Sequence, residues 1–276
     1  MEPQDLFRHD RMYPGVSIQT HRGSVENDLT AVPASVDPRR VTNRGMEGLT
    51  LTPDGSKLVG MMQNALQQDG GTSGSEVRIL VWDTVDPGAA PDEYVYELNT
   101  GAGTGMVVSE IVAVNDREFL IIERDKNEGT AAQAKRIIKI DLDGATNVAG
   151  IADLDDAGTY TSVAQSLFMD LIVGVDGSST GITDFANLQT LLTGAATFDL
   201  FPEKLEGIAF GPELDDGRHL LLIGNDNDND FRSDQPNYVL AFAVDPTDLA
   251  YTPRSSPMPR PSLPPRLRPR CCWCRR

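Results

Sequence analysis

The stretch that decides the fold is Glu47-Gly-Leu-Thr-Leu-Thr, Pro53-Asp-Gly-Ser and Lys57-Leu-Val-Gly-Met-Met, continuous from residue 47 to residue 62. Its first six residues alternate between polar and apolar side chains, as a half-buried strand does. The next four are turn formers, and the last six return as a second apolar strand. The pattern predicts a β-hairpin, and we expect Val77-Arg-Ile-Leu-Val-Trp-Asp and residues 94–98 to add a third and a fourth strand.

The same order of strands and turns recurs twice further along the chain. The second copy consists of Ser109-Glu-Ile-Val-Ala-Val, Glu118-Phe-Leu-Ile-Ile-Glu and Arg136-Ile-Ile-Lys-Ile-Asp. The third consists of Glu206-Gly-Ile-Ala-Phe, Arg218-His-Leu-Leu-Leu-Ile-Gly and Tyr238-Val-Leu-Ala-Phe-Ala-Val-Asp. Four-stranded units repeated every ~40 to 60 residues are typical of blades, so we predict an all-β fold, an incomplete β-propeller with four-stranded blades. A β-sandwich is the alternative, but it has no reason to open each copy with an acidic residue.

The repeat divides the chain into three regions. Residues 1–44 are polar and turn-rich, with one short strand expected at 15–20, and are interpreted as the remnant of a preceding blade. Residues 45–250 are the predicted propeller domain, truncated at both ends, within which 155–200 are a degenerate blade or an insertion. Residues 251–276 are rich in Pro and Arg and are predicted to be a disordered tail. The abrupt change at residue 251 suggests a reading-frame shift, and a genuine basic tail is the alternative.

The chain is strongly acidic, with a formal net charge of -17. The region 251–276 contains seven arginines and no acid, so without their +7 the first 250 residues carry -24. Such a surface repels nucleic acid and anionic membranes and favours cationic partners. We therefore expect no nucleic-acid partner.

Targeting and redox signals are sparse in this chain. No apolar run of about 18 residues occurs, so no transmembrane segment is expected. All three cysteines lie in the last six residues, which leaves the body without a disulfide. The opening Met1-Glu-Pro-Gln-Asp lacks an apolar targeting core, and a cytoplasmic location follows if this N-terminus is genuine.

Three acids open comparable strands of the three copies, namely Glu47, Glu110 and Glu206. In a propeller the first strand of each blade faces the central channel, so these side chains are expected to converge on one axis. Carboxylates placed together raise one another's pKa and are stabilised by a hard divalent cation. We therefore predict that they bind Ca²⁺. The alternative is that each acid merely ends a strand and faces water at the rim.

An acidic loop supplies a fourth candidate ligand. Asn225-Asp-Asn-Asp-Asn-Asp follows the strand at 220–224 and spaces its acids as calcium loops do. Phe231 stands where an EF-hand needs Gly, so this is not an EF-hand. We predict Asp226, which lies nearest to the end of the strand, as a metal ligand, and the acids after it as part of a turn.

Glu123-Arg-Asp ends the second strand of its copy. An arginine between two acids either binds an anionic ester group or ties two strands together, and the tie is the favoured interpretation. Of the acids not assigned to the metal, Glu123 is the candidate catalytic base.

These motifs resemble the phytase-like family, which is described as having esterase-like activity. The resemblance covers about residues 41–250 and rests on Asn43-Arg-Gly-Met-Glu-Gly-Leu-Thr-Leu-Thr-Pro-Asp-Gly, Ser109-Glu-Ile-Val-Ala-Val, Phe119-Leu-Ile-Ile-Glu-Arg-Asp, Lys204-Leu-Glu-Gly-Ile-Ala-Phe-Gly-Pro and Leu222-Ile-Gly-Asn-Asp-Asn-Asp. It implies a propeller, hydrolysis of phosphate or carboxylic esters, and a bacterial protein exported to the periplasm or secreted. By position, the family's acidic motifs match Glu47, Glu110, Glu123, Glu206 and Asp226.

The sequence as a whole predicts a hydrolase of small-molecule esters. A channel-bound Ca²⁺ would polarise the substrate oxygen, and Glu123 would act as a base on water. The alternatives are a non-catalytic propeller that binds a ligand or partner across its face, and an inactive gene fragment.

Overall fold

The fold is all-β in the computed structural model, which describes residues 40–103, 105–172, 202–227, 237 and 239–254. Eleven strands lie in these residues: β1 Met46–Leu51, β2 Lys57–Met62, β3 Glu76–Asp83, β4 Asp92–Glu97, β5 Val107–Ala113, β6 Glu118–Arg124, β7 Lys135–Asp141, β8 Ala164–Asp170, β9 Lys204–Glu213, β10 His219–Asp226 and β11 Val239–Val244. The helical elements of the same residues are three short 3-10 turns, at Gly71–Ser73, Gly129–Ala131 and Leu154–Ala157. The prediction of an all-β class is therefore confirmed.

The strands form three antiparallel sheets that follow the predicted copies. The first sheet has the order β1-β2-β3-β4 and the second β5-β6-β7-β8, whereas the third has three described strands in the order β11-β10-β9. The first strands of the sheets are neighbours in space, because β1 packs against β5 and β5 packs against β9. This arrangement brings the starts of three separate sheets together.

The hairpin β1–β2 is closed by the turn that its sequence predicts. The Asp54 carboxylate accepts hydrogen bonds from the Thr52 hydroxyl at 2.7 Å and from the Ser56 backbone N–H at 2.9 Å. Gly55 adopts φ 76, a conformation in which glycine is favoured. These bonds lower the pKa of Asp54 to about 2, so its charged form stabilises the turn.

Apolar side chains fill the spaces between neighbouring sheets. Ile79 of the first sheet and Ile121 of the second are fully buried in one cluster. Ile122 of the second sheet and Leu221 of the third share another. Consecutive residues of β6 therefore face opposite sides of the sheet, and the strand contributes to both cores.

One strand of the second sheet was not predicted from the sequence. β8, Ala164–Asp170, pairs with β7 and lies in the stretch 155–200 that matched no blade. Its sequence, Ala-Gln-Ser-Leu-Phe-Met-Asp, has no β-branched residue, and its first four side chains are exposed. Without an alternating buried face the strand carries no periodic signal.

The chain after β11 folds back onto the sheets. The Tyr251 ring stacks on Phe210 at 3.8 Å between centroids, and the Thr252 N–H donates to the Val114 backbone oxygen at 2.8 Å. The first residues of the predicted tail are thus packed. Residues 255–276 lie outside the described residues, as do the predicted strand at 15–20 and most of 155–200.

Across the described ranges, no helix has the length and apolar character needed to cross a membrane.

Candidate active site

A polar cleft of about 580 Å³ opens where the starts of β1, β5 and β9 meet the ends of β2 and β6. Four cationic side chains line it, namely Arg44, Arg124, Lys126 and Lys204. Three carboxylates line it as well, namely Glu47, Glu203 and Glu206. The cleft therefore carries a positive excess in a chain whose net charge is -17, which attracts anions to this place.

The cations of the cleft repel one another. Burial, followed by the charge of Arg124, lowers the pKa of Arg44. Burial lowers the pKa of Lys126 as well, with further contributions from Arg44 and Arg124. An anion bound among these groups would relieve the repulsion.

Each first strand contains a β-bulge close to the cleft. In β1, Met46 and Gly48 pair with the adjacent residues Met62 and Met61, so Glu47 is the extra residue. The extra residue of β5 is Ser109, between Val108 and Glu110, and that of β9 is Glu206, between Leu205 and Gly207. Bulges re-aim side chains and are common next to active sites.

The bulges correct the predicted equivalence of the three acids. Glu47, Ser109 and Glu206 occupy the same place in their strands, whereas Glu110 stands where the other strands have Gly48 and Gly207. In the second copy, the residue equivalent to Glu47 and Glu206 is Ser109, one position before the predicted Glu110. The sequence could not reveal this shift, because a bulge leaves no mark in the pattern of apolar residues.

Arg124 links several residues at the cleft. Its guanidinium is buried at 3% exposure, and it donates to Ser109 Oγ at 3.1 Å and to Glu206 Oε1 at 2.8 Å. It also lowers the pKa of Glu47. One cation therefore interacts with all three bulged residues.

Glu47 is exposed at the cleft, and its pKa is raised. Partial desolvation is the largest cause and the charge of Glu206 is the second, while Arg124 and Lys204 act in the opposite direction. A carboxylate with a raised pKa is a stronger base than an ordinary one.

Glu110 lies beside β1. Its Oε1 accepts hydrogen bonds from the backbone N–H of Ile111 at 2.9 Å and of Leu49 at 3.3 Å. Burial raises its pKa, these bonds lower it, and the charge of Glu47 raises it. Glu47 is thus electrostatically coupled to both Glu110 and Glu206.

Glu123 is placed in the interior, 1% exposed. Its Oε2 accepts a hydrogen bond from the Tyr96 hydroxyl at 2.5 Å and from the Asn99 backbone N–H at 3.3 Å. Arg136 lies 4.0 Å from its other oxygen. These contacts tie β6 to β4 and β7, so Glu123 has partners on two neighbouring strands.

Asp226 ends β10 and is exposed, paired in register with Lys204 of the cleft. It therefore lies near the cleft, which Glu47 and Glu206 line and the buried Glu123 does not. In the part of the chain that the structure describes, no three His, Cys, Asp or Glu side chains lie close enough together to hold a metal ion.

Most cations of the cleft were not among the residues predicted from the sequence. Arg44 lies three residues before Glu47, and Lys204 lies two residues before Glu206. Arg124 and Lys126 follow Glu123 just as closely. A basic residue within three positions of Glu47, Glu123 and Glu206 was the signal that could have identified them.

Comparison with known proteins places the chain in a class. The model of a family named Phytase-like, described as "Esterase-like activity of phytase", matches residues 13–229. The chain therefore belongs to the phytase-like family. An uncharacterized secreted protein of Arthroderma benhamiae is 29% identical to it, over 75% of this chain and 46% of that protein. The chain thus spans about half the length of this relative, and no solved structure matches it.

Proposed function

We propose that this protein hydrolyses esters that carry an anionic group, and that the bond is cleaved in the cleft. The observation that carries the proposal is the convergence of four cationic side chains with an exposed, basic carboxylate, Glu47. Membership in the phytase-like family supports hydrolytic chemistry. The three sheets would be blades of a β-propeller, an arrangement that the packing of β1, β5 and β9 supports.

The cations would bind the anionic group of the substrate. Arginine offers paired N–H donors that match phosphate and carboxylate oxygens, and lysine adds compact positive charge. A phosphoester is therefore favoured over a neutral carboxylic ester, because it carries its charge next to the bond that breaks. A neutral ester would leave the positive excess of the cleft unused.

Glu47 is proposed as the base. Its carboxylate would take a proton from a water molecule while the water oxygen forms a bond to the phosphorus or acyl carbon. The bond to the alcohol oxygen then breaks, and the alcohol leaves with the proton that Glu47 returns. Glu123, the candidate from the sequence, is buried under Tyr96, so we assign this step to Glu47.

Calcium is a separate proposal. Glu206 is already paired with Arg124, so the described residues do not complete a metal site and no step of the reaction is derived through one. The coupling of Glu47 with Glu110 and Glu206 nevertheless favours a cation. Bound there, Ca²⁺ would polarise an ester oxygen.

Export from the cell is also proposed, because the relative from Arthroderma benhamiae is described as secreted. It is tested by expressing the native gene and probing the culture medium and the cell fractions. Recovery only from the cytoplasm would contradict it.

The test of the activity compares p-nitrophenyl phosphate with p-nitrophenyl acetate. Wild-type protein is expected to prefer the phosphate, and Glu47→Gln to abolish turnover. Glu213→Gln, an exposed glutamate further along β9 and outside the cleft, is the matched control and keeps the activity. Phosphate binding without turnover would favour the non-catalytic alternative, and lack of cooperative unfolding would favour the inactive fragment.

A further inference from the structure

Lys135 begins β7, and its side chain is fully buried at 0% exposure. Its Nζ lies 2.7 Å from Oδ1 of Asp125, which is equally buried. The same ammonium donates to the backbone oxygen of Asp125 at 2.9 Å and to that of Glu203 at 2.7 Å. Three oxygens therefore contact one buried cation, and they belong to two separate parts of the chain.

Those two parts form two walls of the cleft. The first wall, residues 124–126, starts at the last residue of β6. The second wall, residues 203–206, leads into the start of β9. The first wall supplies the cleft-lining Arg124 and Lys126, and the second supplies Lys204. Each wall also accepts a hydrogen bond from Lys135, through Asp125 in the first and Glu203 in the second. Among the described residues that line the cleft, Lys135 itself is absent. It joins the walls without lining the cleft itself.

We propose that Lys135 is a positioning residue that fixes the first wall relative to the second. It thereby sets the spacing at which the cations of the cleft meet the anionic group of an ester. The ligand in this inference rests on the proposed function, whereas the link between the walls rests on the contacts of Lys135. Binding groups that are already in place lose less freedom when the ligand arrives.

A buried charge is a costly way to hold a fold together. Burial lowers the pKa of Lys135 to about 8, although its bonds with Asp125 act in the opposite direction. Replacing a buried ion pair by apolar side chains is often neutral or stabilising. Stability alone therefore gives no reason for lysine here, but an apolar residue could not hold the carbonyl of Glu203.

Two variants separate positioning from stability. Lys135→Met alone leaves the Asp125 carboxylate unpaired and destabilises the fold, whereas Lys135→Met with Asp125→Asn removes both charges and keeps an acceptor for the Gln133 N–H. Lys135→Arg keeps the charge but replaces the compact ammonium group with the larger, planar guanidinium group. Arg78→Lys is the matched control, since Arg78 forms a buried ion pair with Asp69 and does not line the cleft.

The measurements are hydrogen exchange of peptides covering residues 202–213, and the Kd for inorganic phosphate by calorimetry. In the double variant and in Lys135→Arg we expect exchange at the start of β9 to speed up about tenfold. Phosphate binding should weaken by on the order of tenfold or more, with KM for p-nitrophenyl phosphate rising more than kcat falls. Arg78→Lys should lower the melting temperature and leave both readouts unchanged.

Each outcome decides the proposal. Unchanged exchange in the double variant would overturn it, whatever happens to activity. Faster exchange with unchanged phosphate affinity would reduce Lys135 to a structural tie and overturn its positioning role. If wild type binds phosphate without turnover and the variants bind it weakly, the proposed function fails and the positioning role stands. If wild type does not bind phosphate, the anion site and its positioning residue are both rejected.

Discussion

Arg124 on β6 donates through Nη2 to Oε1 of Glu206 on β9 at 2.8 Å, and this ion pair joins the second sheet to the third at the cleft. The same guanidinium holds Ser109 and lowers the pKa of Glu47. A cation of the chain itself therefore stands among the bulged residues, where the sequence predicted a calcium ion. The charge of Arg124 lowers the pKa of Glu47, whereas the charge of Glu206 raises it.

Glu206→Gln should move the acidic limb of the pH profile of kcat/KM to lower pH. Glu206 raises the pKa of Glu47, so removal of its charge lowers that pKa and the base stays deprotonated in more acidic solution. Arg124→Gln should move the same limb to higher pH, because Arg124 lowers the pKa of Glu47. NMR titration of the Glu47 carboxyl provides the same measurement without turnover. Shifts in one direction for both variants would exclude Glu47 as the titrating base.

Gly48→Ala should destabilise the protein by about 1–3 kcal/mol, the usual range for an overpacked site. A Cβ at Gly48 would lie 2.6 Å from the backbone nitrogen of Ile111, where β1 meets β5. Gly207→Ala is the matched control at the same place of β9, since a Cβ there meets nothing closer than 4.0 Å. Urea unfolding measures both, and equal losses would contradict the close approach of β1 and β5.

The fold class could be predicted because the turn at 53–56 and the apolar strand 57–62 that follows it are local signals. The three sheets followed from the repetition of that pattern. β8 could not be predicted, because its exposed half has no alternation. It forms by pairing with β7, a contact that only the folded chain provides.

The candidate site was predicted in part. Glu47 and Glu206 reach the cleft as expected, since their motifs open strands that meet in space. Glu110 was predicted to be equivalent to Glu47 and Glu206, but Ser109 takes that place. The bulge at Ser109 arises from the pairing of β5 with β6, which the sequence of β5 alone does not reveal. The burial of Glu123 depends on the Tyr96 hydroxyl of a different sheet, and no spacing within one motif reveals such a partner.

Asp54→Ala should weaken the β1–β2 turn by about 0.5 kcal/mol at neutral pH, a small value because the site is exposed and screened by solvent. The pKa of Asp54 is lowered to about 2 from 3.8, so its contribution is complete above pH 3.8 and is lost as the pH falls through 2. Unfolding curves at several pH values should therefore converge for wild type and variant in acid. A constant difference down to the lowest pH would contradict this assignment.

Calcium should raise the midpoint of thermal unfolding relative to protein in chelator. The charge of Glu206 raises the pKa of Glu47, and the charge of Glu47 raises the pKa of Glu110, so a cation bound beside these carboxylates would relieve their repulsion. A bound cation stabilises the native state by about 2.7 kcal/mol at a hundredfold excess over its Kd. Glu47→Gln and Glu110→Gln should each reduce the calcium-dependent shift, because each removes a coupled carboxylate.

Glu213→Gln is the control for that experiment, since it removes the same charge from an exposed position of β9 outside the cleft. It should keep the full calcium shift, whereas a loss there would indicate a general effect of net charge. The absence of any calcium shift in wild type would mean that Arg124, which already pairs with Glu206, supplies all the positive charge that these carboxylates need. The hydrolysis proposed for the cleft would then proceed without a metal ion, with its cations alone stabilising the charge of the substrate.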